Sequence, residues 1–146
     1  IMVARDMFGQ VEFLPIVEIV MDEETNVLKL CRAPADIKLE TETLIQQLAK
    51  GLVEKLNYIG ILGIEFFQSK EGKILINELS PRPHNSGHFS IEACSVSQFE
   101  QHIRAVCGLS VLPCKLIFSS VSFNVFRTKT RQRSDYFNLV FSKKLR

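Results

Sequence analysis

Hydrophobic and polar positions change their spacing several times along the chain, and each change marks a predicted element. Residues 1–20 form an apolar run that polar residues interrupt at Asp6–Gln10, with Gly9 as the turn residue. This pattern predicts two strands, one on each side of the interruption. A polar stretch follows, and the apolar run that begins at Val27 predicts a third strand that ends at Pro34.

Residues 39–57 show the clearest helical pattern. Apolar side chains recur at helical spacing along this segment, at Leu44, Ile45, Leu48, Leu52, Val53 and Leu56. Polar residues occupy the other faces, so we predict an amphipathic helix whose apolar stripe packs on a sheet.

A strand, a turn and a return strand are predicted next, over 58–67, 69–72 and 73–77. Ser97 is the predicted N-cap of a second helix, with Glu100 completing a capping box and Gly108 ending the helix. The predicted buried stripe of this helix consists of Phe99, Ile103 and Val106.

A last β segment is predicted to begin near residue 116. The resulting order, three strands, a helix, two strands, a helix and a strand, predicts an α+β fold in which helices cover an antiparallel sheet.

The predicted hairpin brings two carboxylates together. If Glu71 and Gly72 form the turn, Lys70 faces Lys73 and Glu65 lies directly opposite Glu78. Opposed like charges destabilise a sheet, whereas a divalent cation between them would turn the repulsion into binding. Asn77 would add a neutral oxygen beside Glu78. Two alternatives remain at this point: a three-residue turn that shifts the register and leaves Glu65 in solvent, and a carboxylate pair for acid–base catalysis.

A rigid polar loop follows the return strand. Pro81 and Pro83 restrict the backbone on either side of Arg82, whose planar guanidinium suits a phosphate or carboxylate. Compact polar groups and a second histidine complete the loop, namely His84, Asn85, Ser86, Gly87 and His88. Two other interpretations are a metal site at the two histidines and an ordered connection whose histidines cap nearby backbone.

Composition narrows the class of protein. The chain has 146 residues, 46% of them hydrophobic, which favours one folded domain. No apolar run approaches the roughly 20 residues of a membrane span. The four cysteines form no CxxC pair, which disfavours a zinc site and suits a reducing cytoplasm. The start at Ile1, without Met, suggests a fragment that begins inside a strand.

The charge is uneven. Residues 127–146 hold seven Lys/Arg and one Asp, although the whole chain has a net charge of only +2. Such a tail could bind nucleic acid, but the basic cluster at 127–133 has no aromatic residues spaced through it for stacking on bases, so we expect no nucleic-acid partner.

The residues from Gly63 to Leu109, GIEFFQSKEGKILINELSPRPHNSGHFSIEACSVSQFEQHIRAVCGL, resemble an ATP-grasp enzyme family, the 5-(carboxyamino)imidazole ribonucleotide synthases. This family is also described as the ATPase subunit of phosphoribosylaminoimidazole carboxylase. The resemblance extends over about residues 1–125. It implies that residues 1–109 form the C-terminal lobe of an ATP-grasp fold, and that 110–146 begin a small C-terminal β domain with a truncated or divergent basic tail.

The resemblance also implies a function. The family uses ATP and bicarbonate to carboxylate 5-aminoimidazole ribonucleotide in purine biosynthesis, through carboxyphosphate. The matching positions imply Mg²⁺ or Mn²⁺ at Glu65 and Glu78, and nucleotide contacts at Asn77 and Glu78. They further imply catalytic roles for Arg82 and His84, and substrate contacts at Asn85 and Ser86. A cytoplasmic enzyme, a homodimer and a fused or separate mutase are compatible with the resemblance.

The sequence departs from the family at two places. Met21 stands where many relatives carry a histidine, and Ser110-Val111 replaces the end of the family's GLPL motif. Two alternatives to the synthase are another ATP-grasp ligase, of the biotin carboxylase or formate-dependent transformylase kind, and a non-catalytic module. Because the part of the fold that would grip adenine is missing, we expect the chain alone to be inactive.

Overall fold

The computed structural model describes residues 1–21, 28–125 and 137–143. Within these ranges the chain forms strands and helices in the order β1 (Met2–Arg5), β2 (Val11–Phe13), β3 (Glu18–Met21), β4 (Leu28–Ala33), α1 (Leu39–Lys55), β5 (Gly60–Gln68), β6 (Ile74–Ser80), a 3₁₀ turn (Asn85–Gly87), α2 (Ser90–Ala93), α3 (Gln98–Val106), β7 (Ser119–Val125) and β8 (Phe137–Lys143).

The strands form two four-stranded antiparallel sheets rather than the single sheet that the pattern predicted. The first has the order β2-β1-β5-β6 and the second has the order β3-β4-β7-β8. The predicted second strand was wrong, because it is two strands separated at Pro15. The last backbone hydrogen bond of this segment to β1 is from Leu14 N–H to the Met2 carbonyl, at 3.0 Å. After Pro15 the chain leaves the first sheet, and Glu18–Met21 pair with β4 in the second. The α+β class is confirmed.

Helix α1 covers one face of the first sheet, as predicted. Its buried positions are Ile45, Ala49 and Val53, and they pack with Val3 of β1 and Leu62 of β5. The predicted stripe was too wide, because Leu44 and Leu56 are exposed. Alanine at position 49 allows α1 to approach the sheet closely, which a stripe chosen for large apolar residues overlooks.

Helix α3 covers the opposite face, where Ala105 packs with Met2, Ala4 and Ile61. Successive residues of β1 and β5 therefore pack alternately against α1 and α3, because side chains alternate between the two faces of a strand. Ser97 caps α3 by accepting a hydrogen bond from the Glu100 backbone N–H at 3.1 Å, which confirms the predicted start.

The predicted buried stripe of α3 was wrong. Phe99, Ile103 and Val106 are exposed, while Gln98 and Gln101 are fully buried. The buried amides are stable in the interior because their polar atoms are hydrogen-bonded to backbone groups of other segments. A rule that places apolar residues inside cannot anticipate this face.

The second sheet crosses the domain division predicted at residue 109, since β4 pairs with β7 along Leu30–Ala33 and Ser120–Phe123. The division itself stays a prediction. Most of the basic tail, residues 127–136 and 144–146, lies outside the described residues. Over the described ranges, none of the helices has the length and apolar character needed to cross a membrane.

A buried carboxylate joins the β1–β2 turn to the segment after α3. Asp6 is fully buried. Its Oδ1 accepts hydrogen bonds from the backbone N–H groups of Phe8 and Gln10, at 2.9 and 3.0 Å, and its Oδ2 accepts one from Val111 N–H at 3.1 Å. One side chain thus satisfies three backbone donors from two parts of the chain.

We expect Asp6→Asn to destabilise the fold by roughly 2–3 kcal/mol, because one carboxylate oxygen becomes an NH₂ group that cannot accept a backbone hydrogen bond. Urea unfolding of the variant should show a clearly lower midpoint. Asp36→Asn, at an exposed carboxylate, is the control and should leave the midpoint unchanged. Equal midpoints for the two variants would show that Asp6 does not hold these segments together.

Candidate functional site

A β-bulge near the end of β6 arranges the two carboxylates. Phe66 pairs with Ile76, but the next pair is Glu65 with Glu78, so Asn77 is an extra residue on β6. In such a bulge two residues of one strand oppose one residue of the other. Asn77 and Glu78 therefore both face Glu65, and the predicted opposition of Glu65 and Glu78 is confirmed.

The turn of this hairpin differs from the prediction. Ser69 and Lys73 are joined by a backbone hydrogen bond of 2.9 Å and enclose a three-residue loop, in which Gly72 has a φ of 83°. The predicted two-residue turn, with Lys70 facing Lys73, is wrong. A three-residue loop alone would have shifted Glu65 out of register with Glu78, and the bulge at Asn77 restores the pairing.

Neighbouring polar side chains contact both glutamates on one face of β5 and β6. The Asn77 side-chain N–H donates to Glu65 Oε2 at 3.3 Å, and the Ser80 hydroxyl donates to Glu78 Oε1 at 2.8 Å. His84 Nε2 lies 3.8 Å from Glu65 Oε1. One carboxylate oxygen of each glutamate is thus held by a neighbour.

His84 has a defined orientation. Its Nδ1 accepts a hydrogen bond from the Ser86 backbone N–H at 3.4 Å and lies 2.9 Å from the Ser86 hydroxyl. In the tautomer in which Nδ1 accepts both contacts, the ring proton is on Nε2, the nitrogen that faces Glu65. The ring also caps the 3₁₀ turn that begins at Asn85.

The residues of the predicted anion site differ in exposure. Arg82 is exposed, and its Nη1 donates to the Pro83 carbonyl at 3.0 Å. Within the described part of the chain, no ion pair joins the Arg82 guanidinium to a carboxylate. Asn85 is partly buried, whereas Ser86 is only 4% exposed and its hydroxyl contacts His84. Because Ser86 is buried and contacts His84, the simplest role for its side chain is to act indirectly, by positioning His84.

His88, the second histidine of the loop, packs against helix α3. Its ring stacks on Phe99 with a centroid distance of 5.8 Å. Burial, together with the neighbouring His84, lowers the pKa of His88, although Glu92 acts in the opposite direction. The ring of His88 is therefore favoured in its neutral form at neutral pH.

An apolar cleft of about 560 Å³ opens beside the hairpin. Glu65, Asn77 and Phe67 line one part of it, and the rest includes Ile16, Val17, Glu18, Ile19, Ile37, Thr41 and Ile45. The cleft therefore combines an apolar wall with carboxylate and amide oxygens.

The oxygens of Glu65, Asn77 and Glu78 fit Mg²⁺ or Mn²⁺. Hard cations prefer carboxylate and amide oxygens, and Mg²⁺ is commonly bound by one or two carboxylates together with substrate phosphates. Across the described ranges, no group of three or more His, Cys, Asp or Glu residues could hold a metal on its own. The donor set thus suits a metal whose remaining ligands come from water and a nucleotide.

The residues that hold the loop 84–87 through hydrogen bonds to its backbone were not predicted. Gln98 forms hydrogen bonds with the backbone of His84, and Ser90 with the backbone of Gly87 and Gln98. The signal was available in the spacing of Gln98, Gln101 and Ala105, which lie on one face of α3. It was overlooked because the apolar residues of the same helix form a competing stripe.

The first sheet, the acidic hairpin and the residues that line the cleft all lie within residues 1–99. The family model described as "ATP-grasp domain" matches residues 1–99, and the chain belongs to this family.

Among curated relatives, the chain is 38% identical over 125 residues to the N5-carboxyaminoimidazole ribonucleotide synthase of Bacillus subtilis, which covers 86% of the chain and 32% of that protein. It is 44% identical over 110 residues to the phosphoribosylaminoimidazole carboxylase of Schizosaccharomyces pombe, with 75% of the chain and 20% of that protein covered. The chain therefore spans a third or less of the length of these relatives.

A solved structure gives the same result for the fold. The N5-carboxyaminoimidazole synthase of Aspergillus clavatus, in complex with ADP and 5-aminoimidazole ribonucleotide, superimposes with a TM-score of 0.80 at 30% identity. The match covers 88% of the chain and 34% of that structure. The predicted ATP-grasp fold is confirmed.

We expect Glu78→Gln to stabilise the metal-free chain slightly, by about 0.2–1 kcal/mol, because it removes a like-charge pair across the hairpin. We also expect Mn²⁺ to raise the melting temperature of the parent chain, and Glu78→Gln to abolish that rise. Thermal unfolding in EDTA and in excess MnCl₂ measures both effects.

The matched control for this experiment is Glu71→Gln, which removes a carboxylate from the exposed turn of the same hairpin. This variant should keep the response to Mn²⁺. An equal response to Mn²⁺ in the parent chain and in Glu78→Gln would contradict a metal site at Glu78.

Proposed function

We propose that this chain supplies the metal-binding lobe of a ligase that carboxylates 5-aminoimidazole ribonucleotide with ATP and bicarbonate, in purine biosynthesis. The observation that carries the proposal is the opposition of Glu65 and Glu78 beside the apolar cleft. Two close carboxylates destabilise a hairpin unless a cation or a proton lies between them. In a nucleotide–metal complex, the metal would neutralise the carboxylates of the hairpin and the base would pack on the apolar wall.

The names of the relatives support this particular ligase. They are a synthase and a carboxylase of aminoimidazole ribonucleotides, and the Aspergillus clavatus structure holds ADP and 5-aminoimidazole ribonucleotide. These matches favour the synthase over a biotin carboxylase or a formate-dependent transformylase.

The cation of this site would be Mg²⁺ or Mn²⁺, held by Glu65 and Glu78 with Asn77 alongside. When bound, it supplies positive charge against the nucleotide phosphates. The chain's own contribution is to keep the carboxylate oxygens in place, through the Asn77 amide on Glu65 and the Ser80 hydroxyl on Glu78.

The apolar part of the nucleotide would lie on the same face as the carboxylates. Phe67 is two residues from Glu65 on β5, so both side chains project to one side of the sheet. Leu75 is directly opposite Phe67, and these two side chains are 58% and 55% exposed. This exposed apolar pair next to an acidic pair matches a purine base joined to a phosphate chain.

The loop after β6, residues 82–86, would bind the anionic groups of the reactants. A bicarbonate oxygen attacks the γ-phosphorus of ATP, which gives carboxyphosphate and ADP. The amine of 5-aminoimidazole ribonucleotide then attacks the carboxyl carbon, forming a C–N bond and releasing phosphate and a proton. Arg82 would neutralise the charge that develops on the phosphoryl group, while His84 and Asn85 would shape the bicarbonate and imidazole site, supported by Ser86.

Several further expectations belong to this proposal and stay predictions. They are a homodimer, a fused or separate mutase, and a cytoplasmic location. A non-catalytic role remains the competing proposal for the chain on its own, since it spans only part of its relatives.

We expect Arg82→Lys to reduce turnover of the complete polypeptide encoded by the gene by about 10²–10³-fold, which corresponds to about 2.7–4 kcal/mol of transition-state stabilisation. Lysine keeps the positive charge but cannot present two parallel N–H groups to two oxygens. Steady-state assays with ATP, bicarbonate and 5-aminoimidazole ribonucleotide measure the loss.

The thermal stability of Arg82→Lys serves as its control. Arg82 is exposed, and within the described ranges its side chain donates a hydrogen bond only to the neighbouring Pro83 carbonyl, so the melting temperature should not change. A large fall in melting temperature with near-normal turnover per folded molecule would instead identify Arg82 as a structural brace.

We expect the 146-residue chain alone to bind ATP weakly and not to hydrolyse it. The matches cover only 32% and 20% of the two relatives, and an ATP-grasp site lies between two lobes, of which this chain would form one. Calorimetric titration with ATP and Mg²⁺ checks this directly. Tight binding by the isolated chain would show that this lobe contains the whole nucleotide site.

A further inference from the structure

The side chain of Gln98 forms hydrogen bonds with both backbone polar groups of His84. Its Oε1 accepts from the His84 N–H at 2.9 Å, and its Nε2 donates to the His84 carbonyl at 2.8 Å. Gln98 is fully buried. The amide thus pairs with His84 as a neighbouring strand would, although it comes from the first turn of α3.

The surroundings of Gln98 leave its side chain little freedom. The Ser90 hydroxyl donates to the Gly87 carbonyl at 2.6 Å and accepts from the Gln98 backbone N–H at 2.9 Å. A Cβ at Gly87 would come within 2.5 Å of Gln98 Oε1 and within 2.9 Å of Met2 Cγ. The glycine therefore allows the loop to approach the amide at this point, and any side chain would push the two apart.

The group that Gln98 holds is the residue that links the loop to the acidic hairpin. The ring of His84 is positioned by Ser86 on one side and faces Glu65 on the other. The His84 side chain is 14% exposed, so it can reach a ligand only from a fixed position. A displaced His84 backbone would move the ring relative to Glu65.

We call the pair of hydrogen bonds from the Gln98 side chain to the His84 backbone a clamp. Helix α3 carries a second such clamp, between Gln101 and Leu112. The Gln101 side chain accepts a hydrogen bond from Leu112 N–H at 2.9 Å and donates one to the Leu112 carbonyl. Gln101 is also fully buried. It secures the segment after α3, which contains none of the proposed site residues, and so offers a matched comparison.

We propose that Gln98 is a positioning residue, which fixes the backbone of His84 so that the loop from 84 to 87 is ordered before substrates bind. The inference rests on the ligase function proposed above. Gln98 is buried behind the loop and acts only through His84. The metal ligands lie on β5 and β6, so loss of the clamp should spare nucleotide binding and impair the use of bicarbonate and the imidazole substrate.

The first test compares Gln98→Met with Gln101→Met in the complete polypeptide encoded by the gene. Methionine keeps the length of glutamine and removes both hydrogen bonds. Both variants should lower the melting temperature to a similar extent. Only Gln98→Met should lower kcat/KM for 5-aminoimidazole ribonucleotide, by about 10–100-fold, with the KM for MgATP nearly unchanged.

The second test measures the loop directly and needs no activity. Hydrogen exchange should accelerate at residues 84–87 in Gln98→Met and at Val111 and Leu112 in Gln101→Met. If Gln98→Met does not fold, Gly87→Ala takes its place, because the added Cβ displaces the same amide. Gly51→Ala, where a Cβ would meet nothing within 4 Å, is its control.

The outcomes separate the two proposals. A parent polypeptide without bicarbonate-dependent turnover contradicts the proposed function. Independently of turnover, equal hydrogen exchange at 84–87 in the parent and in Gln98→Met would overturn the positioning role of Gln98. An active parent with equal losses of kcat/KM in Gln98→Met and Gln101→Met overturns the positioning role and leaves the function intact. A parallel rise in the KM for MgATP in Gln98→Met would likewise contradict it.

Discussion

The opposition of Glu65 and Glu78 is the constraint on which the site depends. Two carboxylates face each other across an edge hairpin, where a sheet gains nothing from them. The bulge at Asn77 adds a third oxygen-bearing side chain to the same face, and Ser80 and His84 contact the pair from the following segment. In the proposed ligase this arrangement is the part of the fold that meets the metal and the nucleotide phosphates.

The carboxylate pair was predictable from sequence, although for an incomplete reason. Counting across a two-residue turn gave the correct partners, whereas the actual loop has three residues and the bulge compensates for the additional one. A turn glycine such as Gly72 is compatible with both loop lengths. The bulge could not be predicted, because its position depends on contacts between Asn77 and Glu65 that exist only after the strands pair.

The two long helices show where hydrophobic periodicity succeeds and where it fails. Helix α1 is buried through Ile45, Ala49 and Val53, and its hydrophobic period identified the face of the helix that packs on the sheet. Helix α3 turns Gln98 and Gln101 inward and leaves Phe99 and Ile103 exposed. Its inner face is selected by hydrogen bonds to His84 and Leu112, which lie far away in sequence, so the helix could be located from sequence while its orientation could not.

The most direct test of the metal site is an anomalous diffraction experiment on the complete polypeptide, crystallised with a non-hydrolysable ATP analogue and Mn²⁺. We expect an anomalous manganese peak within about 2–2.5 Å of carboxylate oxygens of both Glu65 and Glu78, with the phosphates of the analogue completing the coordination. A nucleotide–manganese complex bound without contact to either glutamate would contradict a metal site at Glu65 and Glu78.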